Sequence, residues 1–332
     1  MAPPPSPVVV VTGASAGVGR ATVRAFAHAG ASVGLIARDH EGLEAAAEEA
    51  RGSGVRAVTV SIDVADAEAV ERAAGIFEEE LGPIDTWVNN AMTSVFSPVH
   101  ELDAAEVKRV TEVTYLGSVN GILAALARMR PRNAGTIVQV GSALAYRGIP
   151  LQAAYCGSKH AIRGFVDSLR CELVHDHLDV KVTTVHLPAI NTPQFGWVRN
   201  RLPDHPQPVP PIFQPEVAAR AIVWAASHPR REVHVGLPTV GTIWADKLVP
   251  GLVDRYLART GYDSQQVDLP GGEDRPDNLW APVPGDHGAH GIFDDQARSS
   301  SPQLSFTTHR RVAGGVAAAA VVAGLGVLGA RR

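Results

Sequence analysis

Four consecutive valines, Val8 to Val11, run straight into the stretch TGASAGVGRATVRAF. A β-branched run without a polar break has the character of a strand buried on both faces. Gly13, Gly17 and Gly19 follow, then an apolar helical pattern through Val23, Phe26 and Ala27. Strand, glycine turn and helix in that order form the context of a dinucleotide-binding turn. The glycines let the backbone approach a pyrophosphate, whose charge then faces the N-terminus of the helix.

The pattern continues along the chain. Strand-like runs recur at Ser32–Ala37, Ala57–Ser61, Thr86–Asn89, Thr136–Val140, Val180–Leu187 and Glu232–Val235. Helices are expected near residues 17–29, 40–51, 66–81, 103–130, 153–175 and 215–228. Asp103, followed three residues later by Glu106, has the form of a capping box opening the fourth of these. This alternation predicts an α/β fold, a parallel sheet of about seven strands covered on both faces. Right-handed crossovers make it a doubly wound, Rossmann-type sheet with the ligand at the carboxyl ends of the strands. The expected strand order is 3-2-1-4-5-6-7.

Chemistry is carried by LQAAYCGSKHAIRGF, in which Tyr155 and Lys159 stand four residues apart and share one helix face. A phenol stays protonated at neutral pH, and a cation held beside it favours the phenolate. The pair is thus a candidate general acid/base, and the hydroxyl of Ser142, in IVQVGSALAYRG, is able to hold a substrate oxygen.

In order along the chain stand TGASAGVG, Asp63 in SIDVAD, Asn89-Asn90-Ala91, Ser142, Tyr155, Lys159 and LPAINTP. These resemble the landmarks of the short-chain dehydrogenase/reductase family, in its single-domain branch with the T-G-x-x-x-G-x-G turn. The resemblance covers about residues 7 to 236. It implies a nicotinamide-dependent oxidoreductase acting between a carbonyl and an alcohol. Lys159 would lower the Tyr155 pKa and bond the nicotinamide ribose. Gly13, Ser15, Gly17, Val18 and Gly19 would cradle the cofactor, and Asp63 and Val64 would flank its adenine. Asn89 and Ala91 would close the fourth strand beside it. Pro188 and Thr192 would follow the sixth strand, with Thr192 on the nicotinamide carboxamide.

The cofactor type is argued from VGLIARDHEGL at the end of the second strand. An acidic residue there bonds the ribose 2′-hydroxyl of NAD, whereas Arg38 would grip a 2′-phosphate with paired hydrogen bonds. NADP(H) is therefore preferred; Asp39, one residue on, leaves NAD(H) open. No metal site is expected.

Three positions depart from the family pattern. Met92 stands where a glycine is usual, and Ala189 replaces the glycine of Pro-Gly. Thr114 occupies the position of the asparagine that completes a catalytic tetrad in many members. Its one hydroxyl cannot supply an amide's donor and acceptor together, but it is a candidate proton-relay substitute. These departures keep a rival reading open, that of a cofactor-sensing or scaffolding protein with little turnover.

The net charge of −4 gives no reason to expect a nucleic-acid partner. Cys156 and Cys171 fall on one predicted helix, roughly 22 Å apart along its axis, too far for a disulfide. Free thiols suit a cytoplasmic catalytic domain. Beyond the catalytic domain, residues 1–236, lies an extension, residues 237–263. It carries Ile243, Trp244, Leu248, Leu252 and Tyr256 at nearly helical spacing and is divided by Pro250. Residues 264–309 are rich in Pro, Gly, Asp and Ser and are expected to be a partly disordered linker. In residues 310–332, Val312 to Ala330 is uncharged with arginine pairs at both ends, long enough at roughly 28 Å to span a membrane as a C-terminal anchor; an unanchored helix or disordered tail and a helix used in oligomer contact stay open. A homodimer or homotetramer is implied by the family resemblance.

Overall fold

Val9 and Val11 join the apolar cluster on one side of a central sheet, and Val8 and Val10 join the cluster on the other. This is the period-two alternation of a strand buried on both faces. The computed structural model describes residues 6–270 and 275–309. The sheet holds β1 (Val8–Thr12), β2 (Ser32–Ala37), β3 (Ala57–Ser61), β4 (Ile84–Asn89), β5 (Gly135–Ser142), β6 (Val180–Leu187) and β7 (Glu232–His234). All neighbouring pairs are parallel, in the order β3-β2-β1-β4-β5-β6-β7. The order reverses direction between β1 and β4, the switch point at which a doubly wound sheet opens a crevice.

One face is covered by α1 (Gly17–His28), α2 (His40–Gly52) and α6 (Pro215–Ser227). The other is covered by α3 (Ala67–Leu81), α4 (Ala104–Arg132) and α5 (Ala153–His175). Phe77 and Trp87, both fully buried, anchor this second layer. Each such side chain contributes about 1.5–3 kcal/mol. Phe77 lies so close to Gly34 that a Cβ there would meet its ring at 2.8 Å.

The capping box at Asp103 and Glu106 is present at the start of α4. Midway, at Thr111–Leu116, the helix widens into a π-helical turn, a feature often found at functional sites. Among the described residues, α4 is the one helix long and apolar enough to cross a membrane, and half of its apolar window is buried in the core.

Pro250 divides the extension into α7 (Leu237–Leu248) and α8 (Pro250–Thr260). Ile243 is buried, while Trp244, Leu248, Leu252 and Tyr256 are exposed. Arg147 ties the pair down through Asp246 on α7 and Asp254 on α8.

The following segment, expected to be a partly disordered linker, docks on the catalytic domain over its described residues. Residues 266–270 pair antiparallel with Asp204–Pro206. Residues 275–293 form a strap along the carboxyl end of the sheet, anchored by fully buried Leu279 and by Phe293. The chain then ends its described course in α9 (Pro302–Thr308), whose Leu304 enters the core. Composition misses this because few aliphatic anchors are needed: the strap docks through backbone carbonyls and through ion pairs of Asp277 with Arg199 and Asp286 with Arg20. The apolar tail, residues 312–330, lies outside the described residues.

Candidate active site

The glycine turn is dictated by close approach. Gly13 and Gly17 adopt φ of +66° and +58°, conformations that favour glycine. A Cβ on Gly19 would stand 1.9 Å from the Gly13 carbonyl oxygen. Gly19 therefore closes the turn, while Gly13, Ser15, Gly17 and Val18 line the cleft. Thr12 locks the turn to β4: its hydroxyl accepts from the backbone N–H groups of Asn90 and Ala91 at 3.0 and 3.1 Å. The Asn90 amide donates to the carbonyls of Thr12 and Gly13 at 3.0 and 3.2 Å. Of the Asn89-Asn90-Ala91 turn, Asn90 and Ala91 make the link to Thr12. Asn89 itself is buried below the cleft, where its Oδ1 accepts from the Trp87 indole at 2.9 Å.

At the end of β2, Ala37, Arg38 and Asp39 line the cleft. The Asp39 carboxylate caps α2, accepting from the Gly42 N–H at 2.7 Å. It is committed to its own helix, which leaves Arg38 as the polar group at this corner. The guanidinium also donates to three strap carbonyls, those of Asn278, Leu279 and Trp280. Burial lowers its pKa from the usual arginine value. Asp63 and Val64 line the same end. The Asp63 carboxylate pairs with Arg109, which in turn donates to the Leu279 carbonyl at 3.0 Å. Strap contacts reach the glycine turn too: the Gly17 N–H donates to the Gly288 carbonyl at 3.0 Å, and Asp286 pairs with buried Arg20 at 3.1 Å. One of the helix-terminal donors expected to face a pyrophosphate is therefore engaged by the protein itself.

The Ser142–Tyr155–Lys159 group lies where β5 ends. Ser142 Oγ accepts from the Leu144 N–H at 3.1 Å, which fixes the turn after the strand. From α5, Lys159 reaches under Tyr155, its Nζ 5.5 Å from the ring centre and donating to the Val140 carbonyl at 2.9 Å. Desolvation pushes the Tyr155 phenol up, and the hydrogen bond with Ser142 pulls it part of the way back. Burial brings Lys159 down to about 8. From the Tyr155–Lys159 spacing, the lysine charge is expected to lower the tyrosine pKa. Here burial is the larger effect and drives both groups toward their neutral forms.

Thr114 is fully buried in the π-helical turn and is absent from the cleft wall. Its hydroxyl donates to the Thr93 carbonyl at 2.9 Å and accepts from the Thr93 N–H at 3.1 Å. It clips α4 to the loop after β4, so its hydrogen-bonding capacity is spent on backbone rather than directed at Lys159. The neighbouring Val113 lines the cleft in its place.

Pro188, Ala189 and Thr192 follow β6 along the opposite lip, with Met92 across from them. The Thr192 side chain packs on the glycine turn, since a Cβ on Gly17 would meet its Cγ2 at 3.1 Å. Cys156 is buried and Cys171 exposed, both as free thiols; burial raises the Cys156 pKa, as suits a packed side chain rather than a nucleophile.

All these lining groups share one cavity of about 770 Å³ that runs from Arg38 to Tyr155 and on beneath α7 and α8. Beyond Tyr155 the wall is largely apolar, with Leu144, Ile149, Phe195, Val209, Val253 and Leu257. Glutamines interrupt it: Gln152 donates to Gln265 at 2.7 Å, and Gln194 and Gln207 also line the cavity. No motif or periodicity marked these glutamines or the strap.

Comparison with known proteins agrees with this geometry. The family model described as short chain dehydrogenase matches residues 7–201. The uncharacterized oxidoreductase YxnA of Bacillus subtilis is 34% identical over 267 residues, covering 79% of this chain and 74% of its own length. The 3-dehydrosphinganine reductase of Danio rerio is 32% identical over 223 residues, covering 65% of this chain and 67% of its own. Among solved structures, an alcohol dehydrogenase from the archaeon Thermococcus sibiricus, complexed with 5-hydroxy-NADP, aligns with a TM-score of 0.60 at 28% identity. That alignment covers 69% of this chain and 95% of the archaeal one. The matched span, the parallel sheet with its glycine turn, and the oxidoreductase relatives lead to one conclusion: the chain belongs to the short-chain dehydrogenase family.

Proposed function

We propose that the protein is an NADP(H)-dependent oxidoreductase that interconverts a carbonyl and an alcohol on an apolar substrate. The observation that carries this reading is a single cavity holding both the glycine cradle and the Ser142–Tyr155–Lys159 group. The cradle fits a dinucleotide: Gly17 and Gly19 are positions where a side chain would block close approach, and Arg38 stands at the far corner. When bound, the nicotinamide supplies the hydride. Tyr155 donates the proton to the substrate oxygen in reduction, or accepts it in oxidation. Ser142 holds that oxygen, and Lys159 steadies the charge that develops on the phenol.

NADP(H) is favoured because Asp39 is turned to its own helix and Arg38 is not matched by a free carboxylate. The archaeal neighbour complexed with 5-hydroxy-NADP supports the same choice. The apolar wall favours an apolar substrate, and the relative named 3-dehydrosphinganine reductase supports the reductive direction. Trp244, Leu248, Leu252 and Tyr256 expose apolar surface on the two helices that roof this end of the cavity. Their position favours substrate entry from a lipid surface.

The test is NADPH oxidation against a panel of aldehydes, ketones and quinones of graded chain length. Turnover that improves with apolar chain length and disappears in Tyr155→Phe is expected. NADPH binding with no turnover on any panel member would instead favour a cofactor-sensing protein.

A further inference from the structure

Behind the catalytic serine, three side chains from the last two strands converge. His186, on β6, pairs in register with His234 on the parallel strand β7. Glu232 lies two residues before His234, so the period of a strand turns it to the same face. Ligand atoms of all three residues lie within 4.8 Å of one another.

The His186 ring is oriented by Nδ1, which lies 3.1 Å from the Ser142 carbonyl oxygen. A carbonyl only accepts, so Nδ1 carries the proton and Nε2 keeps its lone pair. That Nε2 is buried, on a side chain only 1% exposed, and it has no hydrogen-bond partner. It stands 3.8 Å from Glu232 Oε1. The Nε2 of His234, likewise without a hydrogen-bond partner, stands 3.6 Å from Glu232 Oε2. Both gaps are too long for a hydrogen bond. Leaving such a buried nitrogen unpaired costs about 1–3 kcal/mol.

We propose that His186, Glu232 and His234 form a binding site for Zn²⁺ or a similar first-row divalent ion. With bonds of 2.0–2.2 Å, tetrahedral zinc sets its ligand atoms about 3.3–3.6 Å apart. The two nitrogen–oxygen gaps, one to each Glu232 oxygen, are slightly wider than or at the edge of that spacing, so the three side chains must close in on the ion to complete the set. A histidine that donates Nδ1–H to a backbone carbonyl while presenting Nε2 is the orientation that metal-bound histidines adopt. Two imidazoles and one carboxylate suit zinc and its neighbours rather than calcium or magnesium.

The surroundings limit the strength of the site. The Tyr146 hydroxyl donates to Glu232 Oε2 at 2.6 Å. Arg163 and Lys247 sit over the Tyr146 ring at 4.0 and 5.7 Å and oppose added positive charge. Three ligands leave the fourth position to water. Because His186 touches both the ion site and the Ser142 backbone, the ion would stiffen the turn that presents Ser142, and so acts as a positioning element.

The test uses the full-length protein, stripped with chelator and titrated with Co²⁺ and then Zn²⁺. We expect visible Co²⁺ absorption of tetrahedral character, displaced by Zn²⁺, and a higher melting temperature with Zn²⁺. His234→Ala, at a partly exposed side chain, should fold, weaken Co²⁺ binding at least tenfold and lose the thermal shift. Glu232→Gln should behave alike. His290→Ala removes the exposed His290 that pairs with Glu216 and Asp294 and should bind as wild type does. Absent Co²⁺ absorption, or equal affinity in wild type and His234→Ala, would overturn the proposal. Loss in His290→Ala alone would do so as well.

Discussion

The Lys159 ammonium donates to the Val140 carbonyl at 2.9 Å, one turn of helix away from Tyr155 and 5.5 Å from its ring centre. This bond fixes the lysine beneath the phenol rather than in solvent. Lys159 is only 3% exposed, and its pKa falls to about 8 for that reason. Removing the phenol hydroxyl should leave that scaffold standing. Tyr155→Phe is therefore expected to lower kcat by at least about a hundredfold, the usual worth of a positioned proton donor. NADPH affinity, read by fluorescence, should change little. Unchanged turnover would remove Tyr155 from the mechanism.

Lys159 also makes stability depend on pH. Unfolded, its amine titrates at 10.5; folded, at about 8. Between these values the unfolded chain binds the proton and the native one does not, so stability rises with pH across that window. Lys159→Met abolishes the effect. The stability of wild type relative to this variant should improve from pH 8 to pH 10.5, by no more than about 3 kcal/mol. Denaturant midpoints of both proteins at the two pH values measure it, and a pH-independent difference would count against a buried lysine.

Arg38 is expected to select the phosphorylated cofactor. Charge-assisted hydrogen bonds are worth about 1.5–3 kcal/mol, or roughly ten- to hundredfold in affinity. Arg38→Leu should raise KM for NADPH by that factor and leave KM for NADH nearly unchanged. Equal losses for both cofactors would reduce Arg38 to an anchor for the strap.

Gly19 tolerates no side chain. In Gly19→Ala the new methyl would have to displace the Gly13 carbonyl, which stands 1.9 Å from the Cβ position. Overpacking of this kind costs about 1–3 kcal/mol, occasionally more. A lower melting temperature together with loss of NADPH binding is expected; normal binding would mean that the turn is looser than its geometry.

Thr114 separates two roles. As a clip to Thr93, its replacement by alanine leaves buried polar groups unpaired and should cost about 1–3 kcal/mol in stability. Turnover should then stay within about tenfold of wild type, and Thr114→Ser should restore the stability. A collapse of kcat with stability intact would instead make Thr114 a proton relay.

Much of this was legible in the chain. Periodicity placed β2, β3 and β6 at their observed bounds, because each is rich in β-branched residues, among them Val33 and Ile36, Val58 and Val60, and Val180, Val182 and Val185. The glycines announced the turn, because only they fit there. What escaped was carried by groups without a pattern. A backbone carbonyl can meet Arg38 from any residue, so the strap left no signal beyond Leu279 and Phe293. Asn90 and Asn89 are neighbours of identical chemistry, and only the pleat decides which faces Thr12. His186 and His234 are far apart in sequence and meet through strand register. Thr114 reads as a lost asparagine until its bond to Thr93 is seen.

The strap has a consequence for the order in which the protein is made. A nascent chain emerges from its N-terminus, and its domains begin to fold as they appear. The glycine turn, Arg38 and the Ser142–Tyr155–Lys159 group all leave the ribosome before Asn278, Leu279 and Gly288. The sheet is thus complete while its outer wall is still being synthesised. A product released early, near Thr260, would hold every residue of the catalytic group and yet keep its cleft open along one side.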